Sequence, residues 1–152
     1  RQSRGVLGFV SERMVVMTPV EAKAWRIGVN KPQEDSTSTS NELQTILQMN
    51  NCAMATSGNY RNFYIDNGRK IAHTIDPKTG YPVQHSILSS TVIAPTCAIA
   101  DAYATAFMVL GLEKSLQVLD KHPELMAYFI HTDKEGNYQV WKSPGIEALI
   151  AQ

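Results

Sequence analysis

The segment from Pro95 to Gly111 constrains the fold most, because it carries helix signals at both ends and an apolar interior. Thr96 is the predicted N-cap, since its hydroxyl can accept a hydrogen bond from the backbone of the first turn. Gly111 is predicted to end the helix, because glycine adopts the left-handed conformation common at that position. The apolar stretch 98–112 contains Asp101 and is too short to span a bilayer. It therefore predicts a helix that packs on a sheet.

The remaining segments predict an α+β fold in which an antiparallel sheet packs against helices. Strand-like segments are predicted at 25–29, 54–57, 62–65, 69–75, 86–94, 125–132 and 138–142. Helical segments are predicted at 41–49, 113–121 and 144–151, the first because Leu43, Ile46 and Leu47 have helical spacing. Asn67-Gly68 predicts a hairpin, the segment 76–80 predicts a turn formed by Asp76, and the segment 32–40 predicts a mobile surface loop.

Composition limits the function classes that fit the chain. Its 152 residues, with 43% hydrophobic and 18% charged residues, are typical of one globular domain. The formal net charge is zero and no run of basic residues is present, which argues against binding of nucleic acid. Cys52 and Cys97 lack metal-type spacing and are expected to be unpaired, mostly buried thiols. The chain begins at Arg1 without a signal peptide, which indicates a processed product or a fragment.

Asp101 and Thr105 are the most informative polar pair. They lie four residues apart on the predicted helix, so their side chains share one face. An ionised carboxylate on an apolar helix is costly unless it is paired, and Mg²⁺ takes one or two protein oxygens together with phosphate oxygens. Alternatively, Asp101 interacts with the helix macrodipole or a lysine, and Thr105 bonds back to its own helix. The spacing alone leaves both interpretations open.

Two further features are candidates for chemistry. His73 ends a predicted strand directly before a rigid turn, where a neutral imidazole could accept a proton from a hydroxyl nucleophile. A half-buried structural histidine is the alternative. The small-residue segment 55–61 (ATSGNYR) could hold a phosphate or a ring edge, although such turns are common. His85, His122 and His131 have no comparable setting and are predicted to be surface or packing residues.

Three motifs in register resemble the ApbE family of flavin transferases. They are ATSGNYRNFY at 55–64, HTIDPKTGYPV at 73–83 and the helix IADAYATAFMVLG at 99–111. The good match covers residues 25–141, so residues 25–152 are expected to be the C-terminal part of an ApbE-like domain. Residues 1–24 are expected to form a divergent N-terminal segment. The resemblance implies an α+β, T-fold-like architecture.

The resemblance also implies a reaction: Mg²⁺-dependent transfer of FMN from FAD to a threonine or serine hydroxyl of an acceptor protein, with release of AMP. FAD would be the substrate and Mg²⁺ the cofactor. Asp101 and Thr105 match the positions that hold the metal against the FAD pyrophosphate, and His73 matches the catalytic histidine. The remaining implied site residues, which line the flavin, are Ser57, Gly58 and Ile75.

Partners and location follow from the resemblance in the same way. The acceptor would belong to a membrane redox complex on the periplasmic side of a bacterial membrane, and a lipid anchor would lie outside this chain. The N-terminal half of the family domain, which carries much of the FAD pocket, is not recognisable here. Two alternatives therefore stay open: a Mg²⁺-dependent FAD pyrophosphatase, and a truncated, non-catalytic flavin-binding fragment.

Overall fold

The computed structural model describes residues 7–10, 12–17, 24–31, 43–59, 63–66, 69–72 and 74–151. The elements in chain order are β1 (Leu7–Val10), β2 (Glu12–Met17), β3 (Trp25–Asn30), β4 (Leu43–Met49), β5 (Cys52–Gly58), β6 (Phe63–Asp66), β7 (Arg69–Ala72), β8 (Ile87–Ala94), α1 (Cys97–Leu110), α2 (Leu112–Leu119), β9 (Met126–Thr132), β10 (Tyr138–Lys142) and α3 (Pro144–Glu147). A six-stranded sheet has the order β1-β2-β5-β8-β9-β10, and β3–β4 and β6–β7 form two-stranded sheets. These strand pairs are antiparallel, which confirms the predicted α+β class.

One face of the large sheet packs against α1 and α2. Small residues make this contact close: Ala100 and Ala104 of α1 are fully buried against a cluster that includes Ala55 of β5. Aromatic rings fill the space further along the helix. Phe107 meets Phe129 edge-on, with 5.5 Å between the ring centroids, and Phe129 stacks on Trp141 at 5.4 Å. Such ring pairs add to the burial of apolar area that holds helix and sheet together.

The opposite face of the sheet packs against β3, β4 and α3. Met54, Ile93 and Ile130 point to this side because successive side chains of a strand alternate between its faces. They contact Leu47 of β4 and Ile146 of α3, both of which are fully buried. The large sheet is therefore covered on both faces, with helices α1 and α2 on one side and a hairpin with a short helix on the other.

The predicted helix at 41–49 is wrong, because Leu43–Met49 is strand β4. It pairs with β3 in a register that sets Leu47 opposite Ile27. Leu47 and Met49 are fully buried while Gln48 between them is exposed, so burial follows the two-residue period of a strand. The backbone N–H of Gln48 also donates to the Leu149 carbonyl at 2.6 Å. These distant partners outweigh the helical spacing of the apolar residues.

Most other local predictions are confirmed. Thr96 caps α1 by accepting a hydrogen bond from the Ile99 N–H at 3.4 Å, and Gly111 ends it with a φ of 76°. Asp66 lies opposite Arg69 in the β6–β7 hairpin. The remaining confirmed elements are the strands near 25–29, 54–57, 86–94, 125–132 and 138–142, and the helices near 113–121 and 144–151. The predicted loop at 32–40 lies outside the described residues.

His85 connects the C-terminal end of α1 to the start of β8. Its Nε2 contacts the Met108 carbonyl oxygen, and its Nδ1 accepts a hydrogen bond from the Ile87 N–H at 3.2 Å. A neutral ring that carries its proton on Nε2 satisfies both contacts. Burial lowers the pKa of His85, partly offset by its contact with Met108. His85 is thus a packing residue, as the sequence predicts.

Cys52 and Cys97 are both free, as the sequence predicts, but they are half-buried and not mostly buried. Over the ranges that the structure covers, no helix combines the length and apolar character needed to cross a membrane.

Replacing Phe129 by alanine should lower the free energy of unfolding by about 3–5 kcal/mol, because a fully buried ring is lost from the contact between sheet and helix. Urea unfolding followed by circular dichroism measures this change. Val140 on the neighbouring strand is 41% exposed, and the control Val140→Ala should cost less than about 1 kcal/mol. Equal losses in the two variants would contradict the assigned core.

His85 should make stability depend on pH. Its folded-state pKa lies below the unfolded value of about 6.5, so the unfolded chain binds more protons between the two values. The free energy of unfolding should therefore fall as pH drops below about 6.5. Urea midpoints measured down to about pH 5 stay above the ordinary pKa range of carboxylates, and the pKa values of Glu124, Asp133 and Glu147 are lowered further by their hydrogen bonds. His85→Gln should flatten this slope, and an unchanged slope would contradict the assignment.

Candidate functional site

One stripe of α1 carries its polar side chains. Cys97, Asp101 and Thr105 follow each other at four-residue intervals, which places them on the same side of the helix. The buried residues of α1 are Ala100, Ala104, Phe107 and Met108. Thr105 is exposed and Asp101 is half-buried, so both oxygen-bearing side chains can be reached from solvent. The predicted metal pair is therefore neither separated nor sealed in the interior.

Thr105 is held by a strand of the main sheet. Its Oγ1 lies 3.1 Å from the Oγ of Ser57, and either hydroxyl can be the donor. Ser57 belongs to β5 and is only 5% exposed, so it forms a fixed support beneath the helix. The Thr105 hydroxyl therefore has a partner on the sheet and does not require the alternative bond to its own helix. The contact also joins a residue predicted for metal binding to one predicted for the flavin site.

The negative charge of Asp101 acts on Cys97, its neighbour on the stripe. The pKa of the Cys97 thiol is raised, first by burial and then by the Asp101 carboxylate. A thiol with a raised pKa stays protonated at neutral pH and is a poor metal ligand. The donors that remain on the stripe are a carboxylate and a hydroxyl, which are hard oxygen ligands of the kind that Mg²⁺ prefers.

The structure gives little support to the alternative roles of Asp101, which are an interaction with the helix macrodipole and an ion pair with a lysine. Asp101 lies beyond the first turn of α1, which has no acidic residue, and the macrodipole effect falls off within that turn. The ion pairs between described residues join His122 to Glu124 and Lys142 to Glu147. Within the described ranges, no lysine or arginine is paired with Asp101.

A metal at this site would need ligands besides acidic, cysteine and histidine side chains. The described part of the chain contains no group of three or more such side chains that could hold an ion. Asp101 and Thr105 supply two oxygens, and this small number matches the habit of Mg²⁺ to complete its shell with water and substrate phosphate. The residues present therefore fit a diphosphate-bound Mg²⁺ better than a closed structural metal site.

The end of β5 is tied to the segment that follows His73. The Thr74 Oγ1 donates to the Asn59 Oδ1 at 2.7 Å, and the Asn59 N–H donates to the Leu88 carbonyl at 2.9 Å. Gly58, between Ser57 and Asn59, is half-buried. His73 itself lies outside the described residues, so only its neighbour Thr74 can be placed. The structure thus connects the two segments that the sequence singles out, and it shows that residues 55–58 belong to strand β5 and not to the turn expected from the sequence.

Ile75 lies at the base of the predicted turn. It forms an isolated bridge with Pro82, and the Asp76 N–H donates to the Tyr81 carbonyl at 2.9 Å. Asp76 is the turn former that the sequence predicts, since its Oδ1 accepts from the Lys78 N–H at 2.9 Å. Ile75 is 48% exposed, which leaves its apolar side chain uncovered.

Sequence reasoning missed the hydroxyl groups beneath the helix. The family resemblance assigns Ser57 to the flavin, but its contact with Thr105 joins residues 48 positions apart and has no local signal. Ser90 was not singled out at all. The available signal was the run Ser89-Ser90-Thr91 inside the otherwise apolar strand β8, which places three hydroxyls in a fully buried position.

Comparison with known proteins identifies relatives of the chain. The model of the ApbE family matches residues 10–129. A FAD:protein FMN transferase of Klebsiella pneumoniae is 44% identical over 130 residues, which are 86% of this chain and 35% of the relative. One from Haemophilus influenzae is 42% identical over 114 residues, or 75% and 32% of the two chains. The chain thus spans about a third of the length of these curated relatives.

Solved structures give the same result. The apo form of the Pseudomonas stutzeri flavinyl transferase ApbE matches with a TM-score of 0.70 at 28% identity, over 93% of this chain and 42% of that one. An ApbE protein of Thermotoga maritima matches with a TM-score of 0.73 at 24% identity, over 93% and 43% of the chains, and supports the fold alone. Sequence, family model and fold agree, and the chain belongs to the ApbE family.

Proposed function

We propose that this chain takes part in Mg²⁺-dependent transfer of FMN from FAD to a serine or threonine hydroxyl of an acceptor protein, with release of AMP. Relatives that bear the name FAD:protein FMN transferase support the reaction class. The observation that carries the proposal is the solvent-reachable pair of Asp101 and Thr105 on α1, with Thr105 held by Ser57.

Asp101 and Thr105 would hold the metal in this proposal. A bound Mg²⁺ would offset the negative charge that develops on the diphosphate during phosphoryl transfer. Asp101 contributes the charge, and Thr105 contributes a neutral oxygen whose position is set by its hydrogen bond to Ser57. Cys97 stays a protonated neighbour, because both burial and the Asp101 charge raise its pKa.

The proposed transfer is a displacement at phosphorus that requires one general base. The acceptor hydroxyl oxygen bonds to the FMN phosphorus, the bond from that phosphorus to the bridging oxygen breaks, and AMP leaves with the electron pair. A neutral hydroxyl is a poor nucleophile, so a base must take its proton. We assign that role to a ring nitrogen of His73, which directly precedes Thr74 in the chain. The bond from Thr74 to Asn59 ties this segment to the end of β5.

The flavin would lie against the segments that carry Ser57, Gly58 and Ile75. The exposed side chain of Ile75 offers an apolar contact for a ring system. The Ser57 hydroxyl is engaged with Thr105, so its segment would contribute chiefly through its position beside Gly58. We place the reaction on the periplasmic side of a bacterial membrane, with a subunit of a membrane redox complex as acceptor.

Incubation with FAD, Mg²⁺ and the isolated acceptor domain of a membrane redox subunit tests the reaction. Transfer predicts covalent flavin fluorescence on the acceptor in a denaturing gel, together with AMP. Free FMN and AMP without labelled acceptor would show hydrolysis instead. If FAD binds without any AMP release, the chain is a non-catalytic flavin-binding fragment and the proposal is wrong.

Asp101→Ala should lower metal-dependent release of AMP by more than about 100-fold, since losing even a residue behind a ligand typically costs 10–100-fold. Chromatographic measurement of AMP against Mg²⁺ concentration gives the change. Asp120→Ala is the matched control, because Asp120 is an exposed carboxylate just after α2. The control should retain full turnover, and intact turnover in Asp101→Ala would refute the metal assignment.

A further inference from the structure

Ser90 is an exception among the buried polar groups. Its Oγ is the buried side-chain oxygen in the described part of the chain that forms no hydrogen bond, and the residue has 0% exposure. Leaving a buried hydroxyl without a partner typically costs about 1–3 kcal/mol. Its neighbours on the strand are satisfied differently, since Thr91 pairs with Thr56 at 2.8 Å on the other face of the sheet. The unpaired oxygen therefore needs a physical explanation.

The register places Ser90 beside the candidate site. Ser90 of β8 lies directly opposite Ser57 of β5, and opposed residues of an antiparallel pair point to the same face. Two residues along the same strands, the opposed pair Ala55 and Val92 belongs to the core beneath α1. Ser57 reaches up from that face to Thr105. Ser90 therefore faces the underside of α1 as the immediate neighbour of Ser57, with about 4.5–5.5 Å between the Cβ atoms of such a pair.

We infer that, when a divalent cation binds Thr105, the Ser57 hydroxyl turns its proton toward the unpartnered Ser90 oxygen, and that the buried hydroxyl pair so formed positions Thr105 for the cation. The inference rests on the proposed metal role of Thr105. Ser57 and Ser90 are positioning residues with respect to the cation, since Ser57 acts on it through Thr105 and Ser90 acts through Ser57. Ser57 holds the Thr105 side chain, and Ser90 supplies an acceptor for the Ser57 proton.

Hydroxyl chemistry gives the reason for two serines rather than one. Without a cation, either Ser57 or Thr105 can be the donor in their contact. A cation bound to a lone pair of the Thr105 oxygen draws electron density from it, so Thr105 becomes the better donor and the poorer acceptor of the two hydroxyls. Ser57 must then accept from Thr105 and turn its own proton elsewhere, and the unpartnered Ser90 oxygen lies opposite it on the same face. If Ser57 instead kept donating to Thr105, its proton would compete with the cation for the Thr105 lone pairs.

Titration of the full chain with Mn²⁺, followed by the electron paramagnetic resonance signal of the free ion, tests this inference. Ser57→Ala should raise the Kd by about 10–100-fold, the usual effect of removing a partner behind a ligand. Ser90→Ala should also raise the Kd, by a smaller factor. Its urea midpoint without metal should be unchanged or higher, because an unsatisfied buried hydroxyl is removed. Ser57→Thr keeps the hydroxyl and should bind Mn²⁺ much like the unchanged chain.

The double variant separates a relay from independent packing effects. Once Ser57 is alanine, replacing Ser90 as well should not weaken Mn²⁺ binding further, so the two effects should be non-additive. If Ser57→Ala does not fold, Ser90→Ala and Ser57→Thr still decide the matter by their Kd values. An unchanged Kd in Ser90→Ala would overturn the inference.

Asp101→Ala distinguishes this inference from the proposed function. Loss of Mn²⁺ binding in Asp101→Ala, with normal binding in the two serine-to-alanine variants, would leave the metal site in place and refute the hydroxyl pair. Absence of binding by the unchanged chain, or full binding by Asp101→Ala, would refute the metal site and the inference with it.

Discussion

The close packing of α1 on the central strands is the contact on which the rest of the structure depends. Ala100 and Ala104 of the helix meet Ala55 and other small or flat side chains of the sheet, so the two backbones lie near each other. Residues with short side chains can then connect helix and sheet directly. Ser57 and Thr105 have short side chains, so their hydroxyls can approach to 3.1 Å only because the two backbones lie close together. Larger residues in the alanine positions would separate the pair as well as overfill the core.

The same packing explains how α1 can carry a charge. The helix buries its apolar side against β5 and β8, and this burial supplies the apolar contacts that hold it in place. Asp101 and Thr105 lie on a stripe that is not needed for that contact, one half-buried and the other exposed. His85 adds a polar connection at the far end, where its ring contacts Met108 of the helix and Ile87 of the strand. The helix is thus fixed at its middle and its C-terminal end, while its polar stripe is left available to a ligand.

Local signals in the sequence account for much of the fold. The ends of α1 depend on Thr96 and Gly111, whose conformations and hydrogen bonds involve residues only a few positions away. The β6–β7 hairpin likewise follows from the short connection between Asp66 and Arg69. The spacing of Leu43, Ile46 and Leu47 predicts a helix where the structure has strand β4, because the partner strand β3 is more than a dozen residues away and leaves no signal in that spacing.

The residues of the candidate site also fall into those that local sequence predicts and those that depend on tertiary packing. The sequence predicts that Asp101 and Thr105 lie together, because residues four positions apart share one face of a helix. The place of Ser57 beneath them cannot be predicted in this way, since it depends on how β5 docks under α1. The role of Ser90 cannot be predicted from the sequence either. A serine in a buried strand gives no indication of whether its hydroxyl has a hydrogen-bond partner, and only the folded structure shows that the Ser90 hydroxyl has none.

The separation of 48 positions between Ser57 and Thr105 in the sequence has a consequence for folding. Neither an isolated helix nor an isolated hairpin can contain this pair, so the contact between the two hydroxyls arises only when strand and helix have docked. Contacts of such long separation form at a large cost in chain entropy. A ligand that recognises the assembled pair binds the native chain and not the unfolded one, and it therefore adds its binding energy to the cohesion of the whole domain. Occupancy of the proposed site would therefore raise the free energy of unfolding of the domain.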